Sequence, residues 1–170
     1  MQPQAFYQVV AEDFAAVDGI IRNQFTSRVP LVEKIGDYIT SAGGKRLRPL
    51  LVLLSGNALG LKGEQLRLLA AIIEFLHTST LLHDDVVDMS GMRRGRSTAN
   101  ALWGNAPSVL VGDFLYARSF EMMVELGSME VMRIISQATR VIAEGEVLQL
   151  SKVRDASTTE EIYMEVIRGK

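Results

Sequence analysis

Three aspartates near the middle of the chain form its most distinctive group of reactive side chains. Asp84, Asp85 and Asp88 occur in the segment HDDVVD. Because an α-helix turns by about 100° per residue, Asp84 and Asp88 lie about 40° apart on one face. Carboxylates at that spacing repel each other and oppose the negative end of the helix dipole, unless a divalent cation lies between them. Oxygen ligands suit Mg²⁺, so the segment predicts a magnesium site; the alternative is a solvated acidic helix end.

Two basic segments flank these acids along the chain. The first, GGKRLRP, carries Lys45 and Arg48, which we expect to share a helix face, while Arg46 points elsewhere. A helix N-terminus with nearby cations attracts phosphate. The second segment contains Arg93 and Arg94, and adjacent arginines in a glycine-containing loop can each bind a separate anion with a two-pronged contact. Either segment alone is compatible with ordinary surface charge, but their position on both sides of the acids favours anion binding.

A histidine lines up with the acids. His77 precedes Asp84 by seven residues, which places it within about 20° of the same helix face. A helical histidine is often only a hydrogen-bonded core residue, but this alignment predicts a contact with a bound diphosphate. The combined pattern predicts Mg²⁺ between anionic substrate groups. Diphosphate is a leaving group whose developing charge Mg²⁺ can neutralise.

The elements that must position these residues are predicted to be helices. Apolar residues recur at spacings of three and four almost throughout, with no alternating strand pattern. The fold class is therefore predicted as all-α. We expect eight helices, over about 4–26, 31–41, from the GGKRLRP segment to Gly60, 64–89, 99–103, from Asn105 to Gly127, from Ser128 to about 152, and from about Thr159 to the end. The last of these is predicted to be opened by a capping box of Thr158 and Glu161.

Composition narrows the function classes. The 170 residues include 18 Lys and Arg against 20 Asp and Glu, and this net charge of −2 disfavours nucleic acid as a partner. The chain has no Cys, which excludes disulfides, thiolate zinc sites, iron–sulfur clusters and cysteine nucleophiles. The N-terminal segment lacks the pattern of a signal peptide, and apolar runs such as LLVLL are too short to cross a bilayer. We therefore expect no stable membrane span and a cytoplasmic location.

Several motifs together resemble one known family. GGKRLRP, HTSTLLHDDVVD and MRRG, in this order, with GDFLYARSF and EGEVLQL, resemble the N-terminal half of the trans-isoprenyl (polyprenyl) diphosphate synthases, above all their bacterial octaprenyl branch. The resemblance implies an antiparallel helical bundle of the isoprenoid synthase type, usually a homodimer. It also implies Mg²⁺-dependent condensation of an allylic prenyl diphosphate with isopentenyl diphosphate by ionisation, condensation and elimination. The product would be a long-chain all-trans polyprenyl diphosphate, octaprenyl in this branch, a precursor of quinone side chains.

The resemblance also implies roles for individual residues. It assigns four residues to isopentenyl diphosphate: Lys45, Arg48, His77 and Arg94. It assigns Arg93 and Lys170 to the allylic diphosphate, and Asp84 and Asp88 to Mg²⁺, with Asp85 assisting as the third catalytic aspartate.

A further set of residues on the fourth helix would shape the floor of the product cavity: Ser79, Thr80, Leu76 and Ile73. The first two are small and the others are apolar and of medium size, which favours a long product. Ser79→Phe in a complete enzyme should then shorten the product. Ser79 and Thr80 can equally be small residues that allow helices to pack closely.

One departure from the family concerns a second aspartate-rich motif on a later helix. Nothing after Asp88 matches it, because Asp113 and Asp155 are isolated. We therefore expect residues 1–170 to be the N-terminal part of a single all-α domain without its C-terminal half, and to be inactive alone.

Three alternative functions remain. A regulatory subunit of a heteromeric prenyl synthase would explain the missing motif, although it has no need of the three acids and both basic segments. An HD-type phosphohydrolase needs another metal-binding histidine on a different helix, and the chain has only 2 His. A terpene cyclase or head-to-head condensing enzyme shares DDxxD but lacks GGKRLRP.

Overall fold

The computed structural model describes the backbone of residues 4–170 and the side chains of residues 5–170. Within this range the chain is all-α apart from one two-stranded hairpin, which confirms the predicted fold class. The helices are α1 (Gln4–Val9), α2 (Ala11–Asn23), α3 (Pro30–Ser41), α4 (Leu47–Ala58), α5 (Glu64–Val87), α6 (Ala99–Trp103), α7 (Asn105–Leu126), α8 (Met129–Ser151) and α9 (Glu160–Gly169). The strands are β1 (Met92–Arg93) and β2 (Arg96–Ser97).

Most helices begin and end close to their predicted positions, and the differences are local. The predicted first helix is two helices, because Val10 leaves the helical region at φ −122° and ψ 22°. The last helix is capped one residue later than predicted, since the hydroxyl of Thr159, not that of Thr158, accepts the Ile162 amide at 3.3 Å.

The sequence predicts only a polar loop after Asp88, and within it the structure forms the antiparallel hairpin β1–β2. Met92 pairs with Ser97 and Arg93 pairs with Arg96. The two residues at the tip, Arg94 and Gly95, both have positive φ, 53° and 76°. This is the backbone that two-residue hairpin turns require, and it aims successive arginines in different directions.

The chain divides into two compact units, one ending at Leu126 and the other covering Gly127–Lys170. In the first unit α5 is the central helix, and it contacts α2, α4, α6 and α7. Its fully buried residues include Ile72 and Phe75, and the Phe75 ring lies 5.1 Å from the Phe25 ring. Each such apolar side chain contributes about 1.5–3 kcal/mol of burial free energy. The helix that carries the acids is therefore also the core of its unit.

Small residues let α5 and α7 approach closely. The Ser79 hydroxyl donates to the Gly112 carbonyl at 2.8 Å, and the Ser108 hydroxyl donates to the Leu82 carbonyl at 3.1 Å. A Cβ added at Gly112 would lie 2.4 Å from Nε2 of His83. These contacts fix the rotation of α5 about its axis relative to α7, and so decide which residues of α5 face inward.

Of the helices between residues 4 and 170, only α5 is long and apolar enough, by length and composition alone, to cross a membrane. Core helices of proteins in water pass the same test. Nine residues of α5 are buried, and it is surrounded by other helices of its unit. This fits a core helix, and the expected absence of a membrane span stays a prediction.

The second unit is a pair of helices, α8 and α9. Their backbones meet at two glycines, because a Cβ added at Gly145 would lie 2.8 Å from the carbonyl carbon of Gly169. The N-terminus of α8 is capped by Ser128, whose hydroxyl accepts the Val131 amide at 3.3 Å. No residue of α9 is buried in this structure.

Candidate active site

The three aspartates lie at the C-terminal end of α5 and differ in exposure. Asp84 is half-buried, Asp85 is buried and Asp88, the residue that ends the helix, is exposed. Asp88 keeps a helical backbone (φ −81°, ψ −1°), so the helix geometry that aligns it with Asp84 extends to it. Asp84 and Asp88 therefore share the more accessible face, as predicted, while Asp85 turns inward.

Asp85 holds Arg93. Its carboxylate accepts Nε of Arg93 at 3.0 and 3.1 Å on its two oxygens, and Nη2 at 2.8 Å. This hydrogen bonding, followed by the charges of Asp85, Asp84 and Asp88, raises the pKa of Arg93 although burial opposes it. The hairpin thus brings Arg93 back to the end of α5, beside all three acids.

Polar side chains from the start of α6 fix the connection between α5 and the hairpin. Nδ2 of Asn100 donates to the carbonyl oxygens of Asp85 at 3.1 Å and Ser90 at 3.2 Å. The hydroxyl of Thr98 donates to the same Ser90 carbonyl at 2.7 Å. These bonds tie the Asp85 and Ser90 carbonyls to the start of α6, so they restrain the loop that leads from α5 into the hairpin that carries Arg93.

Arg94 reaches the first basic segment. Its Nη1 donates to the Gly43 carbonyl, and a Cβ added at Gly44 would lie 2.2 Å from the same nitrogen. Gly44 also has φ 154°, a backbone conformation that favours glycine. The segment therefore needs glycine at this position for two reasons: the backbone conformation and the space that the Arg94 side chain occupies. The two basic segments, about 50 residues apart in sequence, are therefore adjacent in space, and Arg93 and Arg94 diverge as predicted.

His77 lies where these cations converge. Burial, followed by the positive charges of Arg48, Arg94 and Arg93, lowers the pKa of His77 to about 4. The imidazole is therefore neutral at pH 7 and can donate a hydrogen bond to a phosphate oxygen. The structure thus brings together residues predicted from three separate motifs.

The first basic segment differs from its predicted form. Helix α4 begins at Leu47, so Lys45 lies before the helix and does not share a helical face with Arg48. Both side chains are exposed. The Lys45 carbonyl accepts the hydroxyl of Tyr7, which attaches this part of the segment to α1.

Sequence reasoning gave Arg46 no role beyond pointing away from its neighbours. The structure shows where it points: Nε lies 3.1 Å from Oδ1 of Asp18 on α2, and Nη1 lies 3.6 Å from Oε1 of Glu74 on α5. Burial raises the pKa of Glu74, while the charges of Arg46, Arg48 and Arg94 act in the opposite direction. The one feature of the sequence that could have indicated this pairing is Glu74, a single acid inside an otherwise apolar stretch of helix, which needs a cation nearby.

His83, which precedes the acids, faces α7. Its Nε2 lies 3.2 Å from the Val109 carbonyl oxygen and 3.2 Å from Oδ1 of Asp113. The other histidine, His77, is on the same helix. The chain therefore offers no histidine on a second helix, which disfavours the HD-type phosphohydrolase.

The four residues predicted to shape a cavity floor lie on different sides of α5. Ser79 has no exposed surface and is sealed against α7. Thr80 is half-buried, and its hydroxyl donates to the His77 carbonyl at 2.8 Å. Leu76 is buried and Ile73 is half-buried. Ser79 thus lies in a helix contact, whereas Thr80 and Ile73 lie on the side of the helix that carries His77 and Asp84.

Lys170 belongs to the second unit. Its Nζ lies 3.0 Å from Oε2 of Glu146 and 2.8 Å from Oε1 of Gln149, both on α8. An open apolar groove of about 540 Å³ between α8 and α9 includes Lys170 in its lining.

The donor set at the end of α5 fits Mg²⁺ bound together with a substrate. Among the side chains that the structure describes there is no cluster of three or more His, Cys, Asp or Glu suited to a metal ion. Mg²⁺ usually takes one or two protein carboxylates and completes its shell with water and phosphate oxygens. Asp84 and Asp88 supply two carboxylates beside a basic surface, so their chemistry fits such an ion.

Comparison with known proteins identifies similar chains. A family model described as polyprenyl synthetase matches residues 29–170. The octaprenyl diphosphate synthase of Escherichia coli (strain K12) is 53% identical over 170 residues, which are 100% of this chain and 53% of that protein.

Two solved structures are also similar. A decaprenyl diphosphate synthase from Rhodobacter capsulatus has a TM-score of 0.91 and 52% identity, covering 98% of this chain and 52% of that one. A polyprenyl synthase from Caulobacter crescentus, solved with calcium and isoprenyl diphosphate, has a TM-score of 0.93 and 45% identity, covering 97% of this chain and 50% of that one. The chain spans about half the length of the relatives it matches.

Proposed function

The chain belongs to the polyprenyl synthetase family, and we propose that the protein is a trans-prenyltransferase that condenses an allylic prenyl diphosphate with isopentenyl diphosphate. The observation that carries this proposal is the meeting of the two basic segments around His77, on the helix that ends in Asp84, Asp85 and Asp88. The charges of three arginines reach the neutral, half-buried imidazole of His77 and help to lower its pKa. Together these groups form a suitable receptor for a diphosphate.

The residues around His77 would bind isopentenyl diphosphate. Arg48 and Arg94 would neutralise its charge, Lys45 would add an exposed ammonium, and His77 would donate a hydrogen bond. A neutral donor at the centre suits this task, because a fourth full positive charge there would be destabilised by the three arginines in the absence of ligand.

The acids and Arg93 would serve the allylic diphosphate. Asp84 and Asp88 would hold Mg²⁺, which when bound would neutralise charge on the departing diphosphate. Arg93, held by Asp85, would pair with the same diphosphate. The similar Caulobacter protein was solved with calcium and isoprenyl diphosphate, which supports the combination of a divalent cation and a prenyl diphosphate.

In the proposed reaction the allylic carbon–oxygen bond breaks and its electron pair leaves with the diphosphate. The double bond of isopentenyl diphosphate then attacks the allylic cation, forming the new carbon–carbon bond. Loss of a proton from the resulting cation restores a double bond. The task of this chain's residues is to bind and orient the two diphosphates, so no protein nucleophile is required.

The product is proposed to be a long-chain all-trans polyprenyl diphosphate, with octaprenyl as the specific candidate and a quinone side chain as its use. Similarity to synthases named for octaprenyl, nonaprenyl and decaprenyl products supports the long-chain class. A homodimer in the cytoplasm is proposed on the resemblance. The 170 residues by themselves are proposed to bind isopentenyl diphosphate without condensing it, because they lack the family's second aspartate-rich motif.

Isothermal titration calorimetry of the 170-residue chain with isopentenyl diphosphate tests the proposal. The wild-type chain should bind, and Arg48→Gln should weaken binding by about tenfold or more, since a charge-assisted contact is lost. Arg133→Gln is the control, because Arg133 is an exposed arginine paired with Glu130 on α8. No binding by the wild-type chain, or equal loss in both variants, would contradict the proposed site. Condensation catalysed by the chain alone would contradict its proposed inactivity.

A further inference from the structure

Arg46 lies between two cations assigned to diphosphate binding, yet its side chain takes the opposite direction. Lys45 and Arg48 are exposed, whereas the Arg46 side chain is 18% exposed. Its backbone is left-handed, with φ 41° and ψ 46°. For a residue other than glycine this conformation costs about 1–2 kcal/mol, so surrounding contacts must stabilise it.

The contacts that stabilise Arg46 are made with two carboxylates, one on α2 and one on α5. Asp18 on α2 is 3.1 Å from Nε, and Glu74 on α5 is 3.6 Å from Nη1. The Glu74 side chain is only 12% exposed, so it needs a cation close by. Both contacts are ion pairs rather than hydrogen bonds, and they direct the Arg46 guanidinium towards α2 and α5, away from the exposed side chains of Lys45 and Arg48. Its effect must be exerted through the segment that carries it.

That segment has few other attachments. The Gly43 carbonyl accepts Arg94, and the Lys45 carbonyl accepts Tyr7. Both contacts hold carbonyl groups, and neither determines where the side chains of Lys45 and Arg48 point. The inward position of Arg46 directs its neighbour Lys45 outward, whereas Arg48 lies on α4, whose buried Pro49 and Leu50 hold the start of that helix in the core. Glu74 also precedes His77 by one helical turn, so the same ion pair connects the segment to the helix of His77.

We propose that Arg46 is a positioning residue that fixes segment 43–48 against α2 and α5, so that Lys45 faces the same diphosphate as Arg48 and His77. The inference rests on the proposed function for the identity of the ligand. It makes no use of a contact between Arg46 and that ligand. A simple contribution of positive charge by Arg46 is the competing explanation.

The chain offers a test in which the two explanations predict opposite signs. Asp18→Asn removes a negative charge near the basic segment, so an effect of charge alone would strengthen diphosphate binding. Loss of positioning would weaken it. The matched control is Asp13→Asn, because Asp13 is on the same helix and its Oδ1 lies 2.6 Å from Nε of Arg67 on α5, away from the segment.

Two measurements on the 170-residue chain are needed: amide hydrogen exchange without ligand, and calorimetric titration with isopentenyl diphosphate. We expect Asp18→Asn and Arg46→Gln each to accelerate exchange of the Leu50 amide, which donates to the Arg46 carbonyl at 3.2 Å, and to weaken binding by about tenfold. Arg46→Lys, which keeps the charge but loses the planar fork, should recover only part of either effect. Asp13→Asn should change neither.

Each other outcome has a definite meaning. Tighter binding by Asp18→Asn, or unchanged exchange in Arg46→Gln, would overturn the positioning role. Equal effects of Asp13→Asn would show that general loss of α2–α5 packing is responsible, which also overturns it. If the wild-type chain does not bind isopentenyl diphosphate, the proposed function fails, and the exchange data still decide whether Arg46 organises the segment.

Discussion

His77 is uncharged at neutral pH because burial and three arginines together lower its pKa from about 6.5 to about 4. In the unfolded chain the ordinary value returns, so between these two pH values the unfolded state binds more protons than the folded state. The contribution of neutral His77 to the free energy of unfolding is therefore fully present above about pH 6.5, and it is lost as the pH falls towards 4.

Replacement of His77 by Gln should remove this pH dependence. Between about pH 7.5 and 4.5, wild type should lose about 2 kcal/mol more unfolding free energy than the variant, in urea titrations at both pH values. The comparison is between two chains that differ only in this group, so other titrating residues cancel. Equal pH dependence in the two chains would show that His77 is not held in its neutral form.

Asp85 is the buried aspartate of the three, and its carboxylate is paired with the guanidinium of Arg93. Its side chain is 6% exposed, whereas that of Arg93 is 36% exposed. Asp85→Asn should lower the unfolding free energy by about 1–3 kcal/mol, less than for a fully buried pair because water still reaches Arg93. Chemical denaturation measures this loss. Asp88→Asn, at an exposed position, is the control and should stay within about 0.5 kcal/mol of wild type. Similar losses in the two variants would mean that the contact with Arg93 does not stabilise the fold.

At the level of residues, the sequence predicted the alignment of His77 with Asp84 and Asp88, but not the contacts that hold the first basic segment. The spacing of His77, Asp84 and Asp88 follows from the period of one helix, so their alignment could be calculated without a structure. The contact between Arg46 and Asp18 depends on the left-handed backbone of Arg46 and on the packing of α2 beside α5. Neither is visible in a local pattern of residue types.

At the level of elements, α5 has two functions on two faces. Thr80 lies four residues before Asp84 and so about 40° from it around the helix, whereas Ser79 lies about 140° away. Ser79 is sealed against the backbone of Gly112, and this favours the packing interpretation of Ser79 over a place in the cavity floor.

Phe substitutions at these two positions should therefore have different effects. Ser79→Phe forces a ring into the contact between α5 and α7 and should cost at least about 2 kcal/mol of unfolding free energy. Thr80→Phe should cost less than about 1 kcal/mol and, in a complete active protein, shorten the product. Thermal and urea unfolding of both variants decide the first point, and product chromatography decides the second. Ser79→Phe with wild-type stability and shorter products would restore Ser79 to the cavity floor.

The elements that escaped prediction are those whose conformation depends on distant partners. The hairpin β1–β2 turns at Arg94 and Gly95, a pair without the usual Asn-Gly signal, and Arg94 is held in place by the Gly43 carbonyl. The break at Val10 has neither Gly nor Pro to indicate it. Helix α7, by contrast, begins at the Asn105 of a Gly-Asn-Ala-Pro sequence, where local chemistry predicts a helix start.

At the level of the whole chain, the two units differ in how much of their structure is buried. Helix α5 of the first unit has nine buried residues, whereas α8 has two and α9 has none. Because protection of amides from hydrogen exchange follows burial and local packing, we expect the amides of α5 to exchange slowest and those of α9 to exchange fastest among the longer helices. The backbones of α8 and α9 approach closely at Gly145 and Gly169, and we expect this contact to restrain α9 within its unit.

Gly145→Ala tests this restraint, because the added methyl group would lie 2.8 Å from the Gly169 carbonyl carbon. Hydrogen exchange with mass spectrometry on the 170-residue chain should show faster exchange in α9 by about tenfold, while α5 is unchanged. Gly19→Ala is the matched control: Gly19 is also helical, an added Cβ would meet no atom within 4 Å, and helix propensity predicts a gain of about 0.5–1 kcal/mol. Protection of α9 equal to that of α5 in wild type, or unaltered exchange in Gly145→Ala, would show that contacts other than this glycine crossing hold the last helix.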